Sequence, residues 1–185
     1  MTAFADKTAL REHYLNLRAA LSPEIRKMHE GFIFNKIYEI IKLRKSNVIH
    51  CFIGNNEKGE FPTLELITKL INEGYTVCGP KIAKGRKLNS YRITLPLNLA
   101  MHPFGVMEPT EEELIAPEQI DLVITPLLVS DQDYNRLGYG GGYYDRYLPS
   151  CSNAYKVGIS YFPPIDKILG IEATDIPLDE VIWMG

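Results

Sequence analysis

Four of the chain's 14 glycines fall between Gly138 and Gly142, inside the segment Asn135-Arg136-Leu137-Gly138-Tyr139-Gly140-Gly141-Gly142-Tyr143-Tyr144-Asp145-Arg146-Tyr147-Leu148. Glycine lets backbone N–H groups approach an oxyanion closely and permits the positive-φ conformations of anion-binding nests. Residues from Tyr143 onward suit a helix, and a glycine-rich loop feeding a helix start is a physical recipe for binding phosphate. Arg136 adds a planar cationic fork matched to phosphate oxygens. The pattern is neither a Walker loop, since no Gly-Lys-Ser/Thr follows, nor Gly-x-Gly-x-x-Gly. On residue chemistry two readings stand: a phosphate cradle, or a flexible turn in which Asp145 complements a helix dipole.

A second cationic group lies near the start of the chain. Lys7 and Arg11 are four apart and share a helical face, with Arg18 on the same side. They read either as a pair reaching one polyphosphate or as an ordinary solvated face. Cys51, Cys78 and Cys151 are odd in number and contain no Cys-x-x-Cys, so they read as reduced thiols. His13, His29, His50 and His102 are scattered, and no zinc-like spacing exists.

These candidates must be held by ordered elements, and the composition allows them. The 185 residues are 45% hydrophobic and 23% charged, which suits one soluble globular domain over 1–185. A net charge of -3 argues against a general nucleic-acid binder. No apolar run reaches the roughly 18 to 20 residues of a membrane helix. The N-terminus lacks a signal-peptide core, so a cytoplasmic location is expected.

The first 45 residues read as two helices. Leu10, Tyr14, Leu17 and Leu21 form one stripe. Ser22-Pro23-Glu24 supplies a cap, and Ile25, Met28, Phe32, Ile33, Ile37, Ile40 and Ile41 form a longer stripe. Short apolar runs at Val48–Ile53, Tyr75–Cys78, Leu122–Thr125, Val157–Tyr161 and Val181–Trp183 read as strands, with a helix over Pro62–Asn72. Such alternation predicts an α/β fold with a mostly parallel sheet and helices on both faces. Residues 81–118 read as a hairpin around Gly85 followed by an irregular excursion.

The glycine segment resembles the Arg-Leu-Gly-x-Gly-x-Gly-Tyr-Tyr-Asp signature of 5-formyltetrahydrofolate cyclo-ligases, matched at Arg136, Leu137, Gly138, Gly140, Gly142, Tyr143, Tyr144 and Asp145. Further agreement comes from Lys7-Thr8-Ala9-Leu10-Arg11, Glu60-Phe61-Pro62-Thr63, Gly79-Pro80-Lys81, Glu108-Pro109, Asp175 and Asp179. The chain departs where the family usually has Phe-Asp-x-x-Gly, carrying Ser130-Asp131-Gln132-Asp133-Tyr134. It also has Pro163 where a Gln is frequent.

The resemblance implies a three-layer sandwich like that of ribose-phosphate isomerases and CoA transferases. It implies ATP- and Mg²⁺-dependent cyclisation of 5-formyltetrahydrofolate to 5,10-methenyltetrahydrofolate by a monomer or weak dimer. ATP would lie against Lys7, Thr8, Ala9, Leu10, Arg11, Arg136, Leu137, Gly138, Tyr139, Gly140, Gly141, Gly142, Tyr143 and Tyr144. Lys7, Arg136 and Tyr143 would serve catalysis. Folate would meet Ile53, Glu60 and Tyr143, and Asp145 and Asp175 would hold Mg²⁺, with Asp179 the alternative. The rival readings are a non-catalytic folate- or nucleotide-binding paralogue and another phosphate-handling enzyme on the same scaffold.

Overall fold

A computed structural model describes residues 6–55 and 58–185. The reading of the N-terminus as free of a signal-peptide core rests partly on residues 1–5, which lie outside that set. Asp6 opens α1 (Lys7–Ala19), its side chain accepting from the N–H groups of Thr8 and Ala9. Ser22 caps α2 (Pro23–Arg44), which begins on proline and ends at Lys45 in the left-handed region.

The predicted stripes hold in part. In α1, Leu10 and Tyr14 are buried, but Leu17 is exposed and Arg18 takes an inward position. In α2, His29, Ile33, Ile37, Ile40 and Ile41 face the core, while Ile25, Met28 and Phe32 lie on the exposed side. His29 rather than Met28 continues the buried row one turn back from Ile33.

All five predicted strands form: β1 (Val48–Cys51), β2 (Thr76–Ala83), β7 (Leu122–Pro126), β10 (Tyr155–Ile159) and β11 (Glu180–Ile182). The helix between the first two is α3 (Thr63–Asn72). The hairpin around Gly85 joins β2 to β3 (Lys87–Arg92). The expected irregular excursion instead contains a second hairpin, β4 (Leu99–His102) with β5 (Val106–Pro109), and a short strand β6 (Leu114–Ile115). A last two-stranded ladder pairs β8 (Val129–Ser130) with β9 (Arg136–Leu137).

The main sheet has seven strands in the order β11-β10-β7-β1-β2-β3-β6. The five from β11 to β2 are parallel, and β3 and β6 are antiparallel. On one face, Ile33, Ile37, Ile41, Leu66, Ile67 and Leu70 of α2 and α3 pack on Ile49, Cys51, Val77, Leu122, Ile124 and Val157. The opposite face packs Cys78 and Val123 against Tyr147, Leu148 and Cys151, from α4 (Tyr143–Tyr147) and the turn after it. Helix α1 packs separately, with Leu10 and Tyr14 against Leu128, Val129 and Leu137. It therefore docks beside the short ladder that introduces the glycine-rich segment.

Candidate active site

The ladder β8–β9 fixes where the glycine-rich segment begins. Between its strands, Asp131 is fully buried, and its carboxylate collects the N–H groups of Asp133, Asn135 and Ile168 and the Asn135 side-chain amide. A buried charge is tolerable only when satisfied in this way. Tyr134, at the position where the signature family usually has glycine, keeps φ at 61°.

Arg136 follows directly. Its side chain is 5% exposed, and Nη2 donates to Asp145 Oδ1 at 2.6 Å while Nη1 donates to the carbonyl of Ile176. Burial disfavours the guanidinium charge and lowers its pKa, with the Asp145 carboxylate acting in the opposite sense. The N–H of Ile176 returns to Asp145 Oδ1 at 3.3 Å. Residue 176 is thus held at both backbone polar groups, which places Asp175 beside the same pair.

Asp175 Oδ2 accepts from Lys7 Nζ at 2.5 Å and from the Glu172 N–H at 2.8 Å. Burial alone would raise its pKa; the Glu172 N–H and the Lys7 ammonium outweigh that and hold the carboxyl below its ordinary value. One turn along α1, Arg11 Nε donates to the Gly138 carbonyl at 3.0 Å. Gly140 and Gly142 both have positive φ, and a Cβ on Gly140 would stand 3.4 Å from Arg11 Cζ. Glycine at 140 lets the loop turn while lying against that guanidinium. The structure therefore brings Lys7, Arg11, Arg136, the loop 138–142, Asp145 and Asp175 together. Asp179 goes elsewhere, accepting the Lys156 N–H near the start of β10. The helix expected after the loop exists but has only five residues.

Glu60 lies in the loop between β1 and α3, and the sequence around it explains its placement. Thr63 Oγ1 donates to the Phe52 carbonyl and accepts from the Gly54 N–H, while Glu60 Oε2 accepts from the Asn55 N–H at 2.8 Å. A Cβ on Gly54 would fall 1.9 Å from the Phe61 carbonyl oxygen, so the loop closes on bare backbone there. Ile53 is 5% exposed and belongs to the main core. Glu108 also proves structural: it is buried and its Oε1 accepts from the Ile82 N–H at 2.7 Å.

The sequence reading treats the Glu60 loop and the glycine loop as separate, yet Tyr139 joins them. Its hydroxyl accepts from Arg18 Nη1 at 2.6 Å and is hydrogen-bonded to Glu60. Burial pushes this phenol up, and the adjacent Glu60 carboxylate adds to the effect. Arg18 is 4% exposed and its Cζ sits 5.3 Å from the Tyr139 ring centroid. The signal for Arg18 is its spacing of seven from Arg11, which repeats a helical face. Beneath the loop, His50 is another residue whose role its sequence context does not reveal. Burial drives its imidazole down to about 3, so it is neutral.

Among the described residues, no three His, Cys, Asp or Glu side chains group as a metal-binding cluster. Asp145 and Asp175 nonetheless suit Mg²⁺, which takes one or two carboxylates plus phosphate oxygens and water. The protein bonds found here fall on Asp145 Oδ1 and Asp175 Oδ2, one oxygen of each carboxylate. The three cysteines are buried and free. No helix among the described residues is long and apolar enough to cross a membrane.

Fold and cleft define an α/β protein whose sheet supports a glycine-rich loop ringed by paired cations and carboxylates. The sequence model of the 5-formyltetrahydrofolate cyclo-ligase family matches residues 3–184, and the chain belongs to that family. The mouse 5-formyltetrahydrofolate cyclo-ligase is 26% identical over 196 aligned residues, covering 99% of this chain and 96% of the relative. The Haemophilus influenzae 5-formyltetrahydrofolate cyclo-ligase is 27% identical over 179 residues, covering 94% and 95%. The NMR structure of Aquifex aeolicus 5,10-methenyltetrahydrofolate synthetase superposes with a TM-score of 0.82 at 31% identity, over 96% of this chain and 89% of that one. The Mycoplasma pneumoniae 5,10-methenyltetrahydrofolate synthetase gives 0.75 at 25% identity, over 96% and 98%. Family and homologues indicate an enzyme with cyclo-ligase activity.

Proposed function

We propose that the 1–185 chain, acting as one domain, cyclises 5-formyltetrahydrofolate to 5,10-methenyltetrahydrofolate at the expense of ATP, with Mg²⁺ held by Asp145 and Asp175. The observation that carries this reading is the convergence of Lys7, Arg11 and the loop 138–142 on the Arg136–Asp145 pair, with Glu60 facing them through Tyr139.

The formamide carbonyl is a weak electrophile and its oxygen a poor leaving group. Transfer of the γ-phosphoryl group to that oxygen forms an O–P bond and releases ADP. The N10 lone pair then attacks the activated carbon, N10 loses its proton, the C–O bond breaks and phosphate departs. Such chemistry asks a protein mainly for positioning and for neutralisation of phosphate charge. Lys7 and Arg11 supply cations at the loop surface. Arg136, turned toward Asp145 and the Ile176 carbonyl, supplies its charge from beneath and fixes the carboxylate. Mg²⁺, when bound, neutralises charge on the polyphosphate. Glu60 accepts pterin N–H groups, with Ile53 and Tyr143 on the same side.

The test is an absorbance assay for the methenyl product. Product should form from 5-formyltetrahydrofolate only when both ATP and Mg²⁺ are present. Absence of product, or formation without ATP, overturns the reading.

A further inference from the structure

Below the glycine loop runs a chain of four buried or half-buried polar side chains, none assigned a role so far. Tyr144 Oη lies 3.3 Å from His50 Nε2, His50 Nδ1 lies 2.7 Å from Ser90 Oγ, and Ser90 Oγ meets the Tyr147 hydroxyl. His50 is 0% exposed, Ser90 1% and Tyr147 3%.

The protons in this chain can be counted. The neutral imidazole carries one N–H and each hydroxyl one O–H, giving four hydrogens for three contacts. One hydrogen is therefore left over at one end. If Nδ1 carries the proton, His50 donates to Ser90, Ser90 donates to Tyr147, and the surplus sits on Tyr147. That hydroxyl is in the dry core beside the Cys151 thiol, a weak acceptor. If Nε2 carries it, Tyr147 donates to Ser90, Ser90 donates to Nδ1, and Nε2 donates to the Tyr144 oxygen. The surplus hydrogen is then on Tyr144. A donor without a good acceptor is costly in a core, so the second arrangement wins.

Tyr144 is the end of the chain that meets the cleft. It precedes Asp145, the partner of Arg136, and its hydroxyl feels the charges of both Glu60 and Arg136. It thus lies between the folate side and the phosphate side, where the reacting groups would meet.

We infer that Tyr144 is a catalytic residue whose O–H donates to an oxygen of the transferring phosphoryl group, and that His50 is a positioning residue that turns this hydrogen outward. The inference rests on the cyclo-ligase reading above. A neutral donor is suited to the task, because it stabilises the phosphoryl oxygens without adding another fixed charge to a site already crowded with ions.

Steady-state turnover and binding of 5-formyltetrahydrofolate and a non-hydrolysable ATP analogue test it in wild type, Tyr144→Phe, His50→Gln and the double variant. Tyr144→Phe should lower kcat by about 10- to 100-fold while both dissociation constants stay within about threefold. His50→Gln should lower kcat less, and should add nothing in the Tyr144→Phe background because it acts through that hydroxyl. Circular dichroism and thermal melts check that each variant folds. Tyr144→Phe turnover within twofold of wild type overturns the inference, as does a parallel loss of both affinities or an additive double variant. A wild-type protein that yields no methenyl product instead overturns the cyclo-ligase reading itself.

Discussion

Lys7 Nζ and Asp175 Oδ2 are 2.5 Å apart although 168 positions separate them in the chain. Both side chains are partly exposed, at 20% and 24%, so the pair contributes modestly to stability. Its ammonium stands at the mouth of the glycine loop. Lys7→Ala should therefore cost up to about 1 kcal/mol of folding free energy. ATP affinity should fall by about 1.5–3 kcal/mol, the value of a charge-assisted hydrogen bond. Calorimetric titration with ATP checks the second figure, and an unchanged affinity removes Lys7 from the phosphate site.

The same ion pair sets an acid limb of stability. Asp175 has a folded pKa below its ordinary value of 3.8. A depressed carboxyl contributes stability that is complete above the unfolded value and is lost as pH falls through the folded one. Denaturant titrations should thus show wild type more stable than Asp175→Asn at neutral pH, with the gap closing below about pH 4. A gap constant down to the acid transition contradicts the assignment.

Arg136 and Asp145 should respond more sharply than Lys7, because their pair is more deeply buried. Arg136→Ala leaves Asp145 without its cation and should destabilise the fold by about 3–5 kcal/mol, so it will not act as a clean binding variant. Asp145→Asn keeps the shape and the hydrogen-bonding oxygen but loses the charge. It should raise the Mg²⁺ concentration needed for half-maximal turnover, and turnover unaffected at low Mg²⁺ would reduce Asp145 to a structural partner of Arg136.

For Glu60, an amide presents one acceptor and one donor where the carboxylate presents two acceptors. Glu60→Gln should therefore weaken 5-formyltetrahydrofolate binding by about 1–3 kcal/mol. Tyr139 still has Arg18 as a partner in this variant, so ATP affinity should change far less. Parallel titrations with the two ligands decide the point; equal losses would mean that the Tyr139 bridge, not a folate contact, dominates.

Tyr134 is exposed, at 47%, and holds φ at 61°. A left-handed conformation costs an L-residue about 1–2 kcal/mol, whereas glycine adopts it freely at an entropic penalty of about 0.5–1 kcal/mol. Tyr134→Gly should accordingly raise Tm by a few degrees at most. A lower Tm would show that the tyrosine ring contributes packing that outweighs the backbone strain.

The parallel strands were legible because strands buried on both faces are written as short, nearly continuous apolar runs, as in Val48–Cys51 and Leu122–Pro126. The Leu99–Pro109 hairpin was not, since its exposed Met101 and its prolines match neither period. Two-residue strands such as Val129–Ser130 have no period to detect. In the site, residue types pointed to Lys7, Arg11 and Arg136, but partners came from far along the chain. Nothing local says that the Arg136 guanidinium faces the Ile176 carbonyl, or that Arg18 abandons solvent for Tyr139. Helical spacing places a charge on a face; what covers that face depends on tertiary docking.

Because α1 supplies Lys7 and Arg11 while the segment before β11 supplies Asp175, the two ends of the polypeptide complete one site. A growing chain on the ribosome would hold α1 and the first strands long before residue 175 emerges. During synthesis, then, Lys7 waits without its carboxylate, and the ATP pocket proposed here closes only after almost the last strand has been made. Nucleotide could assist the final docking step but could not template the earlier ones.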